Sequence, residues 1–272
     1  MIIILIFFNI FLILQKLKLK KNFQLKKFVK NYHCKQKKLS IYNEICLKDE
    51  KKKIIVSLTS WPKRIFNVAT VINSLLNQEI KPDLIELNLS ILEFPKKEKN
   101  LPKDLNLLLK NNKNIEINWT QENTGVFKKI IPTIQKFYGM DYYLLSVDDD
   151  WIYSKRYIKT MIYYIEKYNA DSFCLGRSKV IGNRMIYKSI AFELDFITKL
   201  TDDVINAKIS DLYILYYLKQ KKKYLTHRRP RLLKKFMLKF NPISPNSGRK
   251  KGKYSSRQIN RAIRLIKEIK FI

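Results

Sequence analysis

Four short runs, the largely apolar Ile54–Leu58 and Tyr142–Val147 and the mixed Leu84–Leu89 and Ile115–Trp119, recur along the first half of this 272-residue chain. Each is too short for a buried helix and rich in β-branched, leucine or aromatic residues, so each reads as a buried strand. Between them the apolar spacing changes to that of helices. Ile65, Val68, Ala69, Ile72, Leu75 and Leu76 recur at helical intervals after Pro62, which suits a first turn. Further helices are expected near Leu101–Leu109 and over Thr124–Tyr138, where Pro132 kinks or shortens the second. Strand alternating with helix predicts an α/β fold with a mainly parallel central sheet flanked by helices.

The fourth run ends in three consecutive acids, Asp148, Asp149 and Asp150. A strand of this kind delivers them to the rim of the sheet, where open α/β sheets bind ligands. Clustered carboxylates repel one another. A divalent cation removes that cost, and oxygen-only ligands suit Mg²⁺ or Mn²⁺. The cation in turn suggests a phosphate-bearing substrate. The plainer reading is that one of the three favours the N-terminus of the helix expected over Ser154–Ala170.

The rest of the chain is less regular. Val180–Met185 reads as a hairpin with a Gly-Asn turn, and Asp211–Leu218 as a helix. Lys219–Lys239 holds ten Lys and Arg and no acid. Asn241–Ser256 reads as a loop, and Arg257–Ile272 as a basic amphipathic helix. At the other end, Ile2–Leu14 is apolar apart from Asn9. As a helix it would span ~20 Å against a hydrocarbon core of ~30 Å. Ten lysines follow between Lys16 and Lys38. An apolar helix followed by a polybasic stretch reads as a membrane-surface anchor, with the lysine side cytoplasmic. The expected organisation is therefore an N-terminal anchor and linker over 1–50, a catalytic domain over 51–225, and a basic tail over 226–272.

The formal net charge is +32, from 55 Lys and Arg against 23 Asp and Glu. Such charge favours an anionic partner: nucleic acid, a membrane surface or a phosphate-rich substrate. An AT-rich coding sequence, which favours Lys, Ile, Asn, Tyr and Phe, accounts for part of it. Cys34, Cys46 and Cys174 have no metal-ligand spacing and fit a reduced cytosolic setting. His33 and His227 lie far apart, so acid–base work falls to carboxylates, Lys or Tyr.

Four places in order resemble the A-type nucleotide-sugar glycosyltransferases, especially bacterial family-2-like enzymes. Ile55–Ile65, with Trp61-Pro62-Lys63-Arg64, is similar to their opening strand and turn. Ser74–Gln78 with Pro82-Asp83 is similar to the end of their first helix, and Phe127–Pro132 to the basic helix before the acidic motif. Val147–Tyr153 is similar to their Asp-x-Asp strand end. The resemblance covers roughly 53–155 well and 156–225 weakly, and it lacks the glycine-containing acceptor loop expected after the acids.

What the resemblance implies is a Rossmann-like, Mn²⁺- or Mg²⁺-dependent, inverting glycosyltransferase. Asp148 and Asp150 would hold the metal, with Asp149 turned away by strand alternation. Thr59, Arg64, Lys128, Lys129, Asp148 and Asp149 would bind the nucleotide sugar. Lys128 and Lys129 could equally be surface lysines. Asp211 would be the base, with Asp203 as runner-up. The acceptor would be a glycan or lipid-linked, and the setting the cytoplasmic face of an anionic bacterial membrane, with no specific nucleic acid. Two rivals stand beside this. A two-metal nuclease or phosphotransferase would draw on Asp171, Asp195, Asp202, Asp203 and Asp211. A non-enzymatic membrane- or nucleic-acid-surface binder would work through the basic ends.

Overall fold

The computed structural model describes residues 52–174, 185–206, 210–221 and 225–227, with 264 and 267–269. The chain divides between Glu50 and Lys51, and the described residues all belong to the second unit. The anchor, the Gly-Asn turn and the basic tail thus lie outside the described residues, apart from Met185, Thr226, His227 and four positions near the C-terminus. Among the described residues no helix is long and apolar enough to cross a membrane.

A seven-stranded sheet organises the fold. In chain order its first strands are β1 (Lys53–Thr59), β2 (Leu84–Ser90), β3 (Ile115–Thr120) and β4 (Tyr142–Ser146). The last three are β5 (Ser172–Cys174), β6 (Met185–Lys188) and β7 (Leu225–His227). Their spatial order is β3-β2-β1-β4-β6-β5-β7. The strands expected from the four runs are parallel, with Val56 opposite both Ile85 and Leu145. β6 runs antiparallel to β4 and β5, and β7 parallel to β5. The fold is therefore a mainly parallel α/β sheet flanked by helices, as the periodicity predicts.

Alternation along the strands builds two cores. On one face Val56, Leu58, Ile85, Leu87, Leu89 and Leu145 pack against α1 (Val68–Leu76), α2 (Lys103–Asn111) and α4 (Tyr157–Lys167). On the other, Ile55, Leu84 and Leu144 pack against α3 (Ile131–Phe137) and three later helices. These are α5 (Asp195–Thr198), α6 (Asp202–Asn206) and α7 (Ser210–Gln220). The helix expected over Thr124–Tyr138 is two pieces. A 3₁₀ turn, Gly125–Lys129, is followed after Ile130 by α3. Pro132 sits in the first turn of α3, where its missing N–H costs nothing, and so restarts the helix there. Gly125 begins the 3₁₀ turn at φ +60°, a left-handed conformation open to glycine at no steric cost.

Strand order fixes where a ligand fits. From β1 the chain moves one way to β2 and β3, then returns to place β4 on the other side of β1. The carboxyl ends of β1 and β4 therefore flank the point where the order reverses, the crevice that such sheets use for binding.

Candidate active site at the reversal of strand order

Both flanks of this crevice carry the chemistry expected from the sequence. β4 stops pairing at Ser146, and one further bond, from the Val147 N–H to the Ser57 carbonyl (3.0 Å), holds the chain as it leaves. Asp148, Asp149 and Asp150 follow outside the ladder. β1 leads into Ser60, Trp61, Pro62, Lys63 and Arg64, where the Arg64 and Ile65 N–H groups both donate to the Trp61 carbonyl. That tight turn swings the Arg64 guanidinium back over the acids.

Each acid meets a cation. Arg64 bridges Asp149 and Asp150, lying 2.6 Å from the Asp150 carboxylate and in direct contact with Asp149. Lys129 Nζ lies 3.0 Å from Asp148 Oδ1. The Ser60 hydroxyl donates to Asp149 Oδ2 at 2.6 Å. Asp149 is the deepest of the three, its side chain 7% exposed against 20% for Asp150. Burial pushes its carboxyl up to about 6, and the neighbouring Asp150 and Asp148 add to that; Arg64 and Ser60 act in the opposite direction. Asp149 is thus not turned away from the cluster. Strand alternation does not reach it, because the chain has left the sheet two residues earlier.

The lysine pair is split in role. The Lys128 side chain is 3% exposed, pairs with Glu93 and donates to Asn123 Oδ1 at 2.8 Å. The reading of Lys128 and Lys129 as surface lysines is therefore overturned. The Asn123 side chain also accepts the Gly125 N–H at 3.2 Å, so one residue anchors both the turn and its lysine. Thr59, by contrast, donates its hydroxyl to the Asn88 carbonyl at 2.7 Å, and its neighbour Ser60 reaches the acids instead. Ser60 falls within the Ile55–Ile65 stretch that resembles the opening strand and turn, whereas Glu93 and Asn123 carried no motif signal; their part is visible only once β1, β2 and the Gly125 turn are side by side.

The side chains of Asp203 and Asp211 lie outside the described residues. Asp203 falls in α6, which contacts the Gly125–Lys129 turn. Asp211 is the second residue of α7, and Tyr213 in that helix packs edge-on against Phe127 at 5.6 Å. Both segments therefore border the turn that carries Lys128 and Lys129. Of the acids a nuclease would recruit, Asp195 pairs with Lys221 at 2.8 Å and Asp202 is exposed.

The three aspartates offer oxygen ligands only, which suits Mg²⁺ or Mn²⁺. Among the described residues, however, no group of three His, Cys, Asp or Glu side chains is placed to hold a metal. Asp148 and Asp150 also face different cationic side chains. A metal at this rim would need further oxygens, from a phosphate ligand or water, beside those of Asp148 and Asp150.

No protein-family model matches the chain, and no curated protein sequence matches it. Solved structures with some likeness include three of S. aureus TarS. TarS 1–349 is 14% identical at a TM-score of 0.48, covering 65% of this chain and 58% of that one. Its complex with UDP is 13% identical at 0.45, covering 79% and 64%. The S. aureus TarS structure of greater length is 12% identical at 0.46, covering 79% and 39%. This chain spans less than two thirds of the length of each, and likeness at this level carries no function from one chain to another.

Proposed function

We propose that the chain is a glycosyltransferase of A-type fold. It would move a sugar from a nucleotide-diphosphate sugar to a glycan or lipid-linked acceptor, with inversion, at the cytoplasmic face of a bacterial membrane. The observation that carries this reading is the meeting of Arg64, Lys129 and the three aspartates at the reversal of strand order.

Such a crevice suits a diphosphate. Arg64 and Lys129 present fixed positive charge beside an acidic loop, and Lys128 adds a buried cation on the same turn. In a partly desolvated rim these charges stabilise growing negative charge far better than water-exposed ones would. Asp150, with Asp148, would hold Mn²⁺ or Mg²⁺, which when bound supplies a Lewis acid for the leaving diphosphate. In the transfer, an acceptor hydroxyl oxygen bonds to the anomeric carbon. The bond from that carbon to the diphosphate oxygen breaks, and its electron pair leaves with the diphosphate. The hydroxyl proton passes to a carboxylate, for which Asp211 is the proposed base and Asp203 the alternative.

The test is thermal stability of the protein with UDP, GDP, ADP and CDP, with and without Mn²⁺, alongside Asp150→Asn. A ligand bound only by the folded state adds ~2.7 kcal/mol at a hundredfold excess over its dissociation constant. A Mn²⁺-dependent rise with one nucleotide, lost in Asp150→Asn, is expected. No rise with any nucleotide, in a folded sample, overturns the reading.

A further inference from the structure

The loop that carries the acids has lost the sheet that would normally hold it. Asp148, Asp149 and Asp150 lie past the end of the β4 ladder, yet Asp148 must point at Lys129 and not into solvent. Tyr153, five residues on and 3% exposed, supplies the missing hold. Its hydroxyl accepts the Asp148 N–H at 2.8 Å and lies 3.2 Å from the Asp148 carbonyl oxygen, to which it donates. A single side chain thus takes both backbone groups of one residue. Those are the two bonds a neighbouring strand would otherwise have made.

Tyr153 is in turn tied to α1. Its N–H donates to Ser74 Oγ at 3.0 Å, and its ring packs on Tyr157 at 4.7 Å. Gln78, just past the end of α1 and 2% exposed, donates to the Ser154 carbonyl (2.7 Å) and to the Ser74 carbonyl (2.9 Å). Its Oε1 accepts the Ile158 N–H at 3.0 Å. The Glu79 N–H donates to the Lys155 carbonyl at 2.7 Å. The Ser74–Gln78 segment, which stood out in the sequence without a role, is therefore a polar seam that fixes Tyr153 and, through it, the acidic loop.

We infer that Tyr153 is a positioning residue for Asp148, held by the Ser74–Gln78 seam, and that ligand binding at the crevice depends on its hydroxyl. The inference rests on the donor-site reading above. Tyr153→Phe is the test, because it keeps the ring packing and the backbone bond to Ser74 while removing both hydroxyl bonds. Two measurements on the full chain separate the outcomes: hydrogen exchange at the Asp148 amide, and the dissociation constant of whichever of UDP, GDP, ADP or CDP the unaltered protein binds best.

Faster exchange at Asp148 and affinity weakened roughly tenfold, with a nearly unchanged melting temperature, are expected, as for lost outer-shell partners of a binding group. Unchanged exchange overturns the inference whether or not a nucleotide binds. Faster exchange with unchanged affinity overturns the claim that binding depends on Tyr153. Faster exchange in a protein whose unaltered form binds none of the four overturns the donor-site reading, and with it any role for the hydroxyl in binding. A large fall in melting temperature with affinity preserved assigns the hydroxyl to stability alone and overturns the inference.

Discussion

Two groups of carboxylates sit on this sheet and are neutralised by different means. Under α3, Glu86 is fully buried in mid-strand. The Thr133 hydroxyl donates to it, Asn88 Nδ2 lies at 3.4 Å, and Lys136 reaches in at 3.3 Å. Asn88 continues the network to Ser57 and Asn118, each at 2.9 Å. At the rim, Asp148, Asp149 and Asp150 meet Arg64 and Lys129 and keep some access to water. The interior group is closed, and most of its partners are neutral groups fixed on strands and a helix. The rim group relies on long charged side chains that a ligand can exchange. A buried carboxylate with neutral partners speaks for stability, whereas one shared among exchangeable cations speaks for binding.

Substitutions sharpen this contrast. Glu86→Ala should have the largest effect on stability, about 3 kcal/mol by urea denaturation, because the buried Thr133 and Asn88 side chains lose a shared acceptor, while Lys136 keeps Glu116 and water. A loss below ~1 kcal/mol would erase the distinction. Arg64→Ala should cost less, roughly 2 kcal/mol. Asp149, already pushed up to about 6, can take a proton, and Asp150 can turn to water. The same variant should lose most nucleotide affinity in titration calorimetry. Lys129→Ala should cost somewhat less again, roughly 1–2 kcal/mol in stability, because Asp148 keeps some access to water, with a clear loss of affinity. An effect on stability larger than that on binding would place Lys129 with the interior group.

The smallest effect concerns the seam. Burial pushes the Glu79 carboxyl up, but Arg156 and Lys159 outweigh it and hold it below the usual range. The folded state thus binds this proton less well than the unfolded one. Its contribution is present above the ordinary carboxylate value of 4.5 and is lost as pH falls through the lower folded value. Glu79→Gln should slightly lower stability at neutral pH, where the ionised carboxylate contributes in full, and lower it less below pH 4.5, making the acid limb of a stability–pH profile slightly shallower. An equal change at pH 7 and at pH 4 would contradict this.

The first four strands were legible because β1 and β4 are nearly continuous apolar runs, β2 and β3 alternate apolar with polar residues, and the stretches between them show helical spacing. β5 and β7, three residues each, are too short for any period to register, and α5 has only four residues. The acids were legible as a cluster; their partners were not. Ser60 and the Lys128–Lys129 pair fall in stretches that carry the resemblance, but nothing local says which acid or base each one meets. Burial and pairing across 19 to 89 residues make those distinctions. Tyr153 closes the Val147–Tyr153 motif, but a hydroxyl reaching back to a backbone amide leaves no compositional trace.

β3 is the outer strand on one side of the sheet, and one side of its backbone pairs with no other strand among the described residues. Its alternate residues Glu116, Asn118 and Thr120 are polar, and Glu116 is half exposed while paired to Lys136 at 2.6 Å. A strand from a second molecule could extend the sheet there only by stripping water from that carboxylate and crowding its lysine. Edges charged in this way resist the end-to-end stacking that leads to fibrils. A strand as hydrophobic as β4 placed at that edge would lack the protection, so the order of the strands also governs how concentrated this chain can become before it self-associates.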